Sequence, residues 1–220
     1  MNNNISNIKM VVFDLFGVLI TEGHMISNVL MPLLPENTSK TVVKSFYNPY
    51  TRGEIDEHAF WHGIGQHDNA PLRAKFLNSF ILDAQFNSSI QTLSATYQLA
   101  ILSNLGSAWA ENLSHQFNFK AHFKPIMFSG DVGCEKPQPR IYEMFIQQSQ
   151  LQAEEIIFID DRLENLQAAH QFGIKTIHFQ REEQTADFQA GYTIHQLSEV
   201  VDLLCPNPHQ VAAQSTQNTL

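Results

Sequence analysis

Acidic side chains stand directly after two apolar runs of this chain. Asp14 follows the apolar part of IKMVVFDL (residues 8–15), and Asp160 and Asp161 close the run IIFIDD. An unpaired carboxylate at the end of a buried strand is costly, and several carboxylates in one place repel one another. A hard cation relieves this repulsion, and Mg²⁺ is typically held by one or two carboxylates together with waters and substrate phosphate. The three acids therefore indicate a magnesium site.

Three further polar side chains stand near the predicted ends of strands and helices. Ser103 and Asn104 close the run YQLAILSN, and Lys136 precedes a helical pattern at 138–150. A lysine offers phosphate a fixed point charge, and a hydroxyl with neighbouring backbone N–H groups can donate to phosphoryl oxygens. Because a carboxylate beside Mg²⁺ can attack phosphorus to give an aspartyl-phosphate that water later cleaves, these residues indicate phosphoryl transfer.

The same residues also have ordinary structural interpretations. Asp160 and Asp161 would suit the N-terminus of the helix that follows them. Ser103 and Asn104 would serve as a plain cap for the helix beginning near Ser107. A catalytic role is distinguished from helix capping only if all these residues lie close together in the folded chain.

The elements that must position these residues alternate along the second half of the chain. Apolar runs of strand length are separated by helical patterns that suit helices covering both faces of a parallel sheet. The pattern is typical of a doubly wound α/β fold, in which ligands bind outside the carboxyl ends of the strands. The predicted strands are 8–15, 97–103, 125–130, 154–160 and 174–179, and the predicted helices are 107–117, 138–150 and 163–173.

Residues 20–88 interrupt this alternation, because they carry helical patterns, four prolines and little strand signal. We therefore expect a helical insert at 20–88 between two parts of one core, 1–19 and 89–204. The stretch 205–220 is polar and aperiodic, and we expect a disordered tail there.

The overall composition narrows the class of partner. A net charge of −9 without a basic run argues against nucleic acid or an anionic membrane. The two cysteines, Cys134 and Cys205, form no CxxC pair, which fits a reducing compartment. With no predicted leader or transmembrane run, we expect a cytoplasmic monomer or homodimer acting on a small molecule.

Four ordered motifs make the chain similar to a known superfamily over roughly residues 8–204. It resembles the haloacid dehalogenase-like hydrolases, whose fold is a Rossmann-like core with a helical cap. The resemblance implies that residues 20–88 are this cap, which closes over the site and selects the substrate. The motifs are FDLFGVL at 13–19, LSN at 102–104, KPQPRIY at 136–142 and FIDDRLENLQAA at 158–169.

The resemblance also implies roles for individual residues. Asp14 would be the nucleophile, and Mg²⁺ would be held by Asp14, the backbone carbonyl of Phe16 and Asp161. Asp160 would be a further ligand or would support the ligands from behind.

The remaining roles concern the transferred group. Ser103 and Asn104 would bind it, and Lys136 would hold phosphate and nucleophile together. Within the insert, GEIDEHAFW resembles the cap of the branch that contains sugar-phosphate phosphatases and the phosphatase domain of epoxide hydrolases.

Phe16 departs from the pattern of the superfamily's phosphatases. These usually carry a second aspartate two residues after the nucleophile, which protonates the leaving oxygen and later activates water. Phenylalanine can do neither, and a missing general acid–base costs roughly 10²–10⁴ in rate.

An aromatic residue at this position is instead similar to the metal-independent L-2-haloacid dehalogenases. Their fourth motif, however, is typically rich in Ser and Asn, whereas this chain has FIDDRLEN. The sequence therefore favours a Mg²⁺-dependent phosphatase of a small, sugar phosphate-like metabolite. The alternatives are a dehalogenase, or a binding or regulatory protein that has lost turnover.

Overall fold

A computed structural model describes residues 5–181, 183 and 186–206. Its centre is a six-stranded, wholly parallel sheet in the order β3-β2-β1-β4-β5-β6. The predicted doubly wound α/β core with a helical insertion is confirmed. The strands are β1 Met10–Phe13, β2 Gln98–Ser103, β3 Ile126–Phe128, β4 Ile156–Asp160, β5 Lys175–Phe179 and β6 Tyr192–Ile194.

The central strands are apolar on both faces because helices cover both sides of the sheet. Successive side chains of β1 alternate between two hydrophobic clusters: Met10 and Val12 pack in one, and Val11 and Phe13 in the other. All residues of β1 and β4 are buried. The strand order reverses between β1 and β4, which is where doubly wound folds place their ligands.

The core helices begin and end at recognisable signals. Pro139 occupies the first turn of its helix, where its missing N–H is not needed. Gly173 follows another helix with a φ of 90°, a conformation that glycine adopts without strain. The core helices are α4 Phe86–Ser94, α5 Ser107–Gln116, α6 Ser129–Val132, α7 Pro139–Ser149, α8 Leu163–Gln171 and α9 Leu197–Leu204.

The insert is built from three longer helices and two short helical turns. The helices are α1 Lys40–Thr51, α2 Glu57–Gly63 and α3 Ala70–Leu77, and the turns are Met25–Leu30 and Met31–Leu33. Trp109 of α5 is fully buried among aromatic rings of the insert, with ring centroids 4.9 Å from Tyr50 and 4.8 Å from Phe76. The insert therefore shares a continuous apolar core with α5.

The structure differs from the sequence-based expectation in local places. Strand β6 was not predicted, because only one of its three residues, Ile194, is buried and so short a stretch gives no apolar run. Helices α4 and α9 were not predicted either. The run 125–130 is a strand only as far as Phe128, since Ser129 and Gly130 begin α6. Of the predicted tail 205–220, residues 207–220 lie outside the described part, and the domain boundaries remain predictions.

Within the described ranges, no helix has both the length and the apolar character needed to cross a bilayer.

Candidate active site

A cavity of about 390 Å³ opens at the carboxyl ends of β1, β2 and β4, against helix α1 of the insert. Most of the predicted site residues line it together, although they come from four separate motifs. Asp160 is the exception, because it is fully buried behind the cavity wall. The predicted residues that line the cavity are Asp14, Phe16, Ser103, Asn104, Lys136 and Asp161.

The three acids meet because of the sheet register. Phe13 pairs with Ile159 across β1 and β4, so Asp14 and Asp160 leave neighbouring strands at the same level. One carboxylate oxygen from each of Asp14, Asp160 and Asp161 lies within 4.8 Å of the others. Three oxygen donors in this arrangement match the ligand preference of a hard cation such as Mg²⁺.

Lys136 is buried between two of these carboxylates. Its Nζ lies 3.0 Å from Asp14 Oδ1 and 2.6 Å from Asp160 Oδ2. Burial by itself would lower the pKa of Lys136, but the two carboxylates outweigh it and raise the pKa above its ordinary value. The ammonium group therefore stays charged beside Asp14.

Asn104 fixes the loop that carries this lysine. Its side-chain amide donates to the carbonyl of Lys136 and accepts from the Lys136 N–H, both at 2.8 Å. The sequence assigned Asn104 to the transferred group, and that contact stays a prediction. Ser103 is buried at the end of β2 and also lines the cavity.

Asp160 is held by donors on every side. Asn165 donates to both of its carboxylate oxygens at 3.1 Å, and the Arg162 N–H donates to Oδ1 at 2.8 Å. Burial raises the pKa of Asp160 to about 6, although Lys136 opposes this. Tyr142 in turn donates to the carbonyl of Asn165 at 2.9 Å. Asp160 is thus firmly positioned, in keeping with a supporting role behind the cavity.

Asp161 has a different environment from its neighbour. Burial, followed by the negative charges of Asp160 and Asp14, raises the pKa of Asp161 to about 8. A cation bound between these acids would remove that repulsion, so the donor set fits a metal ion.

Two glycines face the carboxylate of Asp161. A Cβ on Gly17, whose φ is 79°, would overlap this carboxylate, and a Cβ on Gly23 would lie 3.1 Å from its Oδ2. The structure thus adds both glycines to the site; Gly17 lies within the FDLFGVL motif.

Phe16 turns its ring to an apolar neighbour. It is 6% exposed and packs edge-to-face against Phe80, with the ring centroids 5.1 Å apart. Its side chain offers no proton, so this position supplies no general acid.

Arg181 is a third residue that the sequence did not reveal. It donates to the carbonyls of Gly17 and Val18 at 2.6 and 3.2 Å and pairs with Asp83 at 2.9 Å. It therefore ties the loop after Asp14 to the segment where the chain returns from the insert.

The insert supplies a wall of the cavity through α1. Lys44, Tyr47, Asn48 and Thr51 all line it, and none was predicted. Their spacing of three, four and seven residues is that of one helical face, which is the signal that could have found them. Phe60, Trp61 and Ile64 of the insert are buried, and none of them lines this cavity.

Glu135 joins this wall to the loop of Lys136. It accepts from the Thr51 hydroxyl at 3.0 Å and from Arg52 at 3.1 Å. Burial and then the charge of Glu135 raise the pKa of Tyr47 above its ordinary value, so the phenol remains a hydrogen-bond donor.

Comparison with solved structures shows the same fold. A haloacid dehalogenase-like phosphatase from Thermococcus onnurineus matches with a TM-score of 0.72 and 18% identity, covering 90% of this chain and 98% of that one. A family enzyme from Bacteroides thetaiotaomicron, in complex with magnesium and inorganic phosphate, matches at 0.69 and 19%, covering 81% and 98%. A dehalogenase matches at 0.67 and 19%, covering 92% and 99%.

Curated relatives match in sequence over most of this chain. Acyl-CoA dehydrogenase family member 10 of Mus musculus is 30% identical over 199 residues, covering 80% of this chain but 18% of that protein. A drimenol cyclase of Aspergillus calidoustus is 22% identical over 187 residues, covering 80% and 35%. The chain thus spans about a third or less of these two relatives. A sesquiterpene phosphatase of Aspergillus oryzae is 24% identical over 177 residues, covering 77% and 89%.

The model of one protein family, described as haloacid dehalogenase-like hydrolase, matches residues 11–179, which contain every candidate residue discussed above except Arg181. The resemblance carried by the four motifs is therefore confirmed. This chain belongs to the haloacid dehalogenase-like hydrolase family.

Proposed function

We propose that the chain is a Mg²⁺-dependent phosphatase that cleaves a small phosphorylated metabolite through a covalent intermediate on Asp14. The observation that carries the proposal is the meeting of three carboxylates and one buried lysine at a cavity. One ammonium group cannot balance three carboxylates, and an anionic phosphate would be repelled from such a site. A divalent cation resolves both problems, which is why the residues suit phosphate and metal together.

The residues proposed to hold Mg²⁺ are Asp14, Asp161 and the backbone carbonyl of Phe16. Asp160 supports them, since Lys136, Asn165 and a backbone N–H already occupy its carboxylate oxygens. Bound there, Mg²⁺ would supply positive charge to the phosphoryl oxygens and orient them towards the nucleophile.

The chemical steps follow from the side chains of Asp14, Lys136 and Ser103. A carboxylate oxygen of Asp14 forms a bond to phosphorus while the bond from phosphorus to the alcohol oxygen breaks, and its electron pair leaves with that oxygen. Water then attacks the phosphorus of the aspartyl-phosphate, releasing inorganic phosphate and restoring Asp14. Lys136 and the Ser103 hydroxyl would balance and bind the phosphoryl oxygens during both steps.

Phe16 restricts which substrates react well. Because this position supplies no proton to the leaving oxygen, substrates whose leaving group departs easily as an anion should be favoured. We therefore propose that aryl phosphates, acyl phosphates and sugar 1-phosphates react faster than alkyl monoesters.

Two neighbours support this class of reaction. The relative from Aspergillus oryzae is a sesquiterpene phosphatase, and the Bacteroides structure holds magnesium with inorganic phosphate. At 24% and 19% identity they support the class of chemistry and leave the substrate open.

Metal-independent L-2-haloacid dehalogenation is a second candidate, favoured by the apolar contact of Phe16 with Phe80. In that reaction Asp14 would displace halide from carbon. The clustering of Asp14, Asp160 and Asp161 argues against it, because without a metal ion these acids repel one another unless one of them takes up a proton.

The test is a panel of phosphorylated metabolites and p-nitrophenyl phosphate, assayed with Mg²⁺ and with EDTA. We expect phosphate release that requires Mg²⁺, together with a phosphorylated Asp14 trapped by rapid quenching and located by mass spectrometry. Chloride release from 2-chloropropionate in EDTA would transfer the site to the dehalogenase reaction. Labelling of Asp14 by a phosphate donor without steady release would identify a binding or regulatory protein.

A further inference from the structure

One face of α1 forms a polar wall of the cavity that contains Asp14. Lys44, Tyr47, Asn48 and Thr51 stand on this face, whereas Val43 and Tyr50 on the neighbouring face are buried in the apolar core. The wall thus presents an ammonium group, a phenol, an amide and a hydroxyl to whatever extends from the phosphoryl group.

The charges around the cavity single out Lys44. Three Lys or Arg side chains line the cavity, and two of them are already paired: Lys136 with Asp14 and Asp160, and Arg162 with Glu164 at 2.5 Å. Lys44 makes no ion pair with any residue in the described part of the chain, and α1 contains no acidic residue.

The acids that line the cavity do not neutralise this lysine. Glu135 is engaged by Thr51 and Arg52, and Glu164 by Arg162. A cation in the cavity lining that makes no ion pair is suited to bind an anionic group there.

We propose that Lys44 binds a second anionic group of the substrate, a carboxylate or a second phosphate, while Tyr47 and Asn48 bind its hydroxyl groups. The inference rests on the proposed phosphatase function and narrows its substrates to phosphorylated hydroxy acids or sugar bisphosphates. A cavity of about 390 Å³ suits a metabolite of that size.

A long apolar chain fits this wall poorly. It would cover Lys44 and Asn48 without offering them a hydrogen-bond partner, which is unfavourable for polar groups removed from water. The polar face of α1 is therefore unsuited to binding the prenyl chain of a terpenoid substrate.

The experiment compares substrates that differ only in the second anion. The carboxylate arm uses 3-phosphoglycerate against glycerol 3-phosphate, and the phosphate arm uses fructose 1,6-bisphosphate against fructose 6-phosphate. We expect kcat/KM to favour the doubly anionic member of at least one pair by about tenfold, the value of one charge-assisted hydrogen bond. The arm that shows the preference identifies the second anion.

Variants of two lysines on the same helix assign the effect. Lys44→Gln should reduce the preference to less than about twofold, whereas Lys40→Gln, at the start of α1 and outside the cavity lining, should retain it. Equal kcat/KM within both pairs in the wild type would overturn the inference and leave the phosphatase proposal standing. So would a preference for dimethylallyl phosphate over both pairs.

The inference can still be decided if no phosphate is hydrolysed. The rise in melting temperature that each member of a pair causes in the wild type, with Mg²⁺ present, then measures binding. A larger rise with the doubly anionic member, lost in Lys44→Gln and kept in Lys40→Gln, would support the anion site although phosphatase turnover had failed. Equal rises would overturn it.

Discussion

The floor and the wall of the cavity are built on different principles. On the floor, Asp14, Asp160 and Lys136 are buried, and the Lys136 ammonium group lies within 3.0 Å of both carboxylates and so fixes their positions. On the wall, Lys44 and Asn48 are exposed, and α1 carries no acidic residue that could pair with Lys44. A floor of this kind is organised in advance for one reaction, whereas a wall of this kind can change its specificity without disturbing the fold.

The largest expected effect separates chemistry from binding. Asp14→Asn keeps the side-chain volume and removes the proposed nucleophile, so we expect kcat to fall by about 10⁴-fold or more. The preference of the wall for doubly anionic ligands should survive in this variant, measured as the shift in melting temperature. Turnover close to wild type would show that the covalent step does not occur on Asp14.

The two adjacent acids of the floor give the next contrast. Asp160→Ala leaves Lys136 buried with one partner fewer and leaves the Asn165 amide unpaired, so we expect a loss of about 3–5 kcal/mol in the free energy of unfolding. Asp161→Ala should cost little or stabilise the metal-free protein, because it relieves repulsion, but it should greatly weaken Mg²⁺ binding.

Urea unfolding and a Mg²⁺ titration of both variants measure this contrast. Equal loss of stability in the two variants would contradict the distinction between a supporting acid and a metal-binding acid. An unchanged Mg²⁺ response in Asp161→Ala would remove that residue from the metal site.

Much of the floor could be predicted from sequence because its chemistry is unusual. Adjacent acids that close an apolar strand, as Asp160 and Asp161 do, exceed what capping needs, and a parallel sheet brings such strand ends together. The positioning residues were harder to predict, because a lone Asn or Gly has many ordinary uses. Asn104 was assigned to substrate, yet its amide holds the Lys136 loop in the structure.

The wall escaped prediction for a different physical reason. Lys44, Tyr47 and Asn48 look like the solvated side of an amphipathic helix, and only the docking of α1 over the strand ends gives them a cavity. That docking depends on long-range contacts, such as Trp109 of α5 with Tyr50, which no local pattern records. The sixth strand was missed in the same way, since it is stabilised by pairing with β5.

The metal-free floor should also respond to pH. The pKa of Asp161 is raised from 3.8 to about 8 in the folded state, so folding binds a proton there between these values. Because the folded state then holds more protons than the unfolded state, the stability of the metal-free protein should fall as pH rises through this window and level off above it.

Saturating Mg²⁺ should remove most of this dependence of stability on pH. Asp161→Asn should remove the part of it that lies at higher pH. Melting temperatures from pH 5 to 9, with EDTA or Mg²⁺, check both expectations. A metal-free protein whose stability rises across the window would show that Asp161 ionises without penalty.

Phe16 also lines the cavity. Its replacement tests whether another residue of the cavity supplies the proton that this position cannot donate. Phe16→Asp places an acid two residues after the proposed nucleophile, and Phe16→Asn is its control. The Asn side chain has nearly the same size as Asp and loses the same contact with Phe80, but it cannot transfer a proton. Both variants should therefore lose similar stability, and their difference in rate isolates general acid–base catalysis. The wild type should hydrolyse p-nitrophenyl phosphate much faster than glycerol 3-phosphate, because a basic alkoxide needs a proton to leave. Phe16→Asp should narrow this ratio about tenfold relative to Phe16→Asn, which is a part of the roughly 10²–10⁴ in rate that a well-placed general acid contributes.

Similar rates on the two substrates in the wild type would mean that a proton donor already faces the leaving oxygen. The Tyr47 phenol, which stays protonated at the cavity wall, would then be the first residue to replace, as Tyr47→Phe.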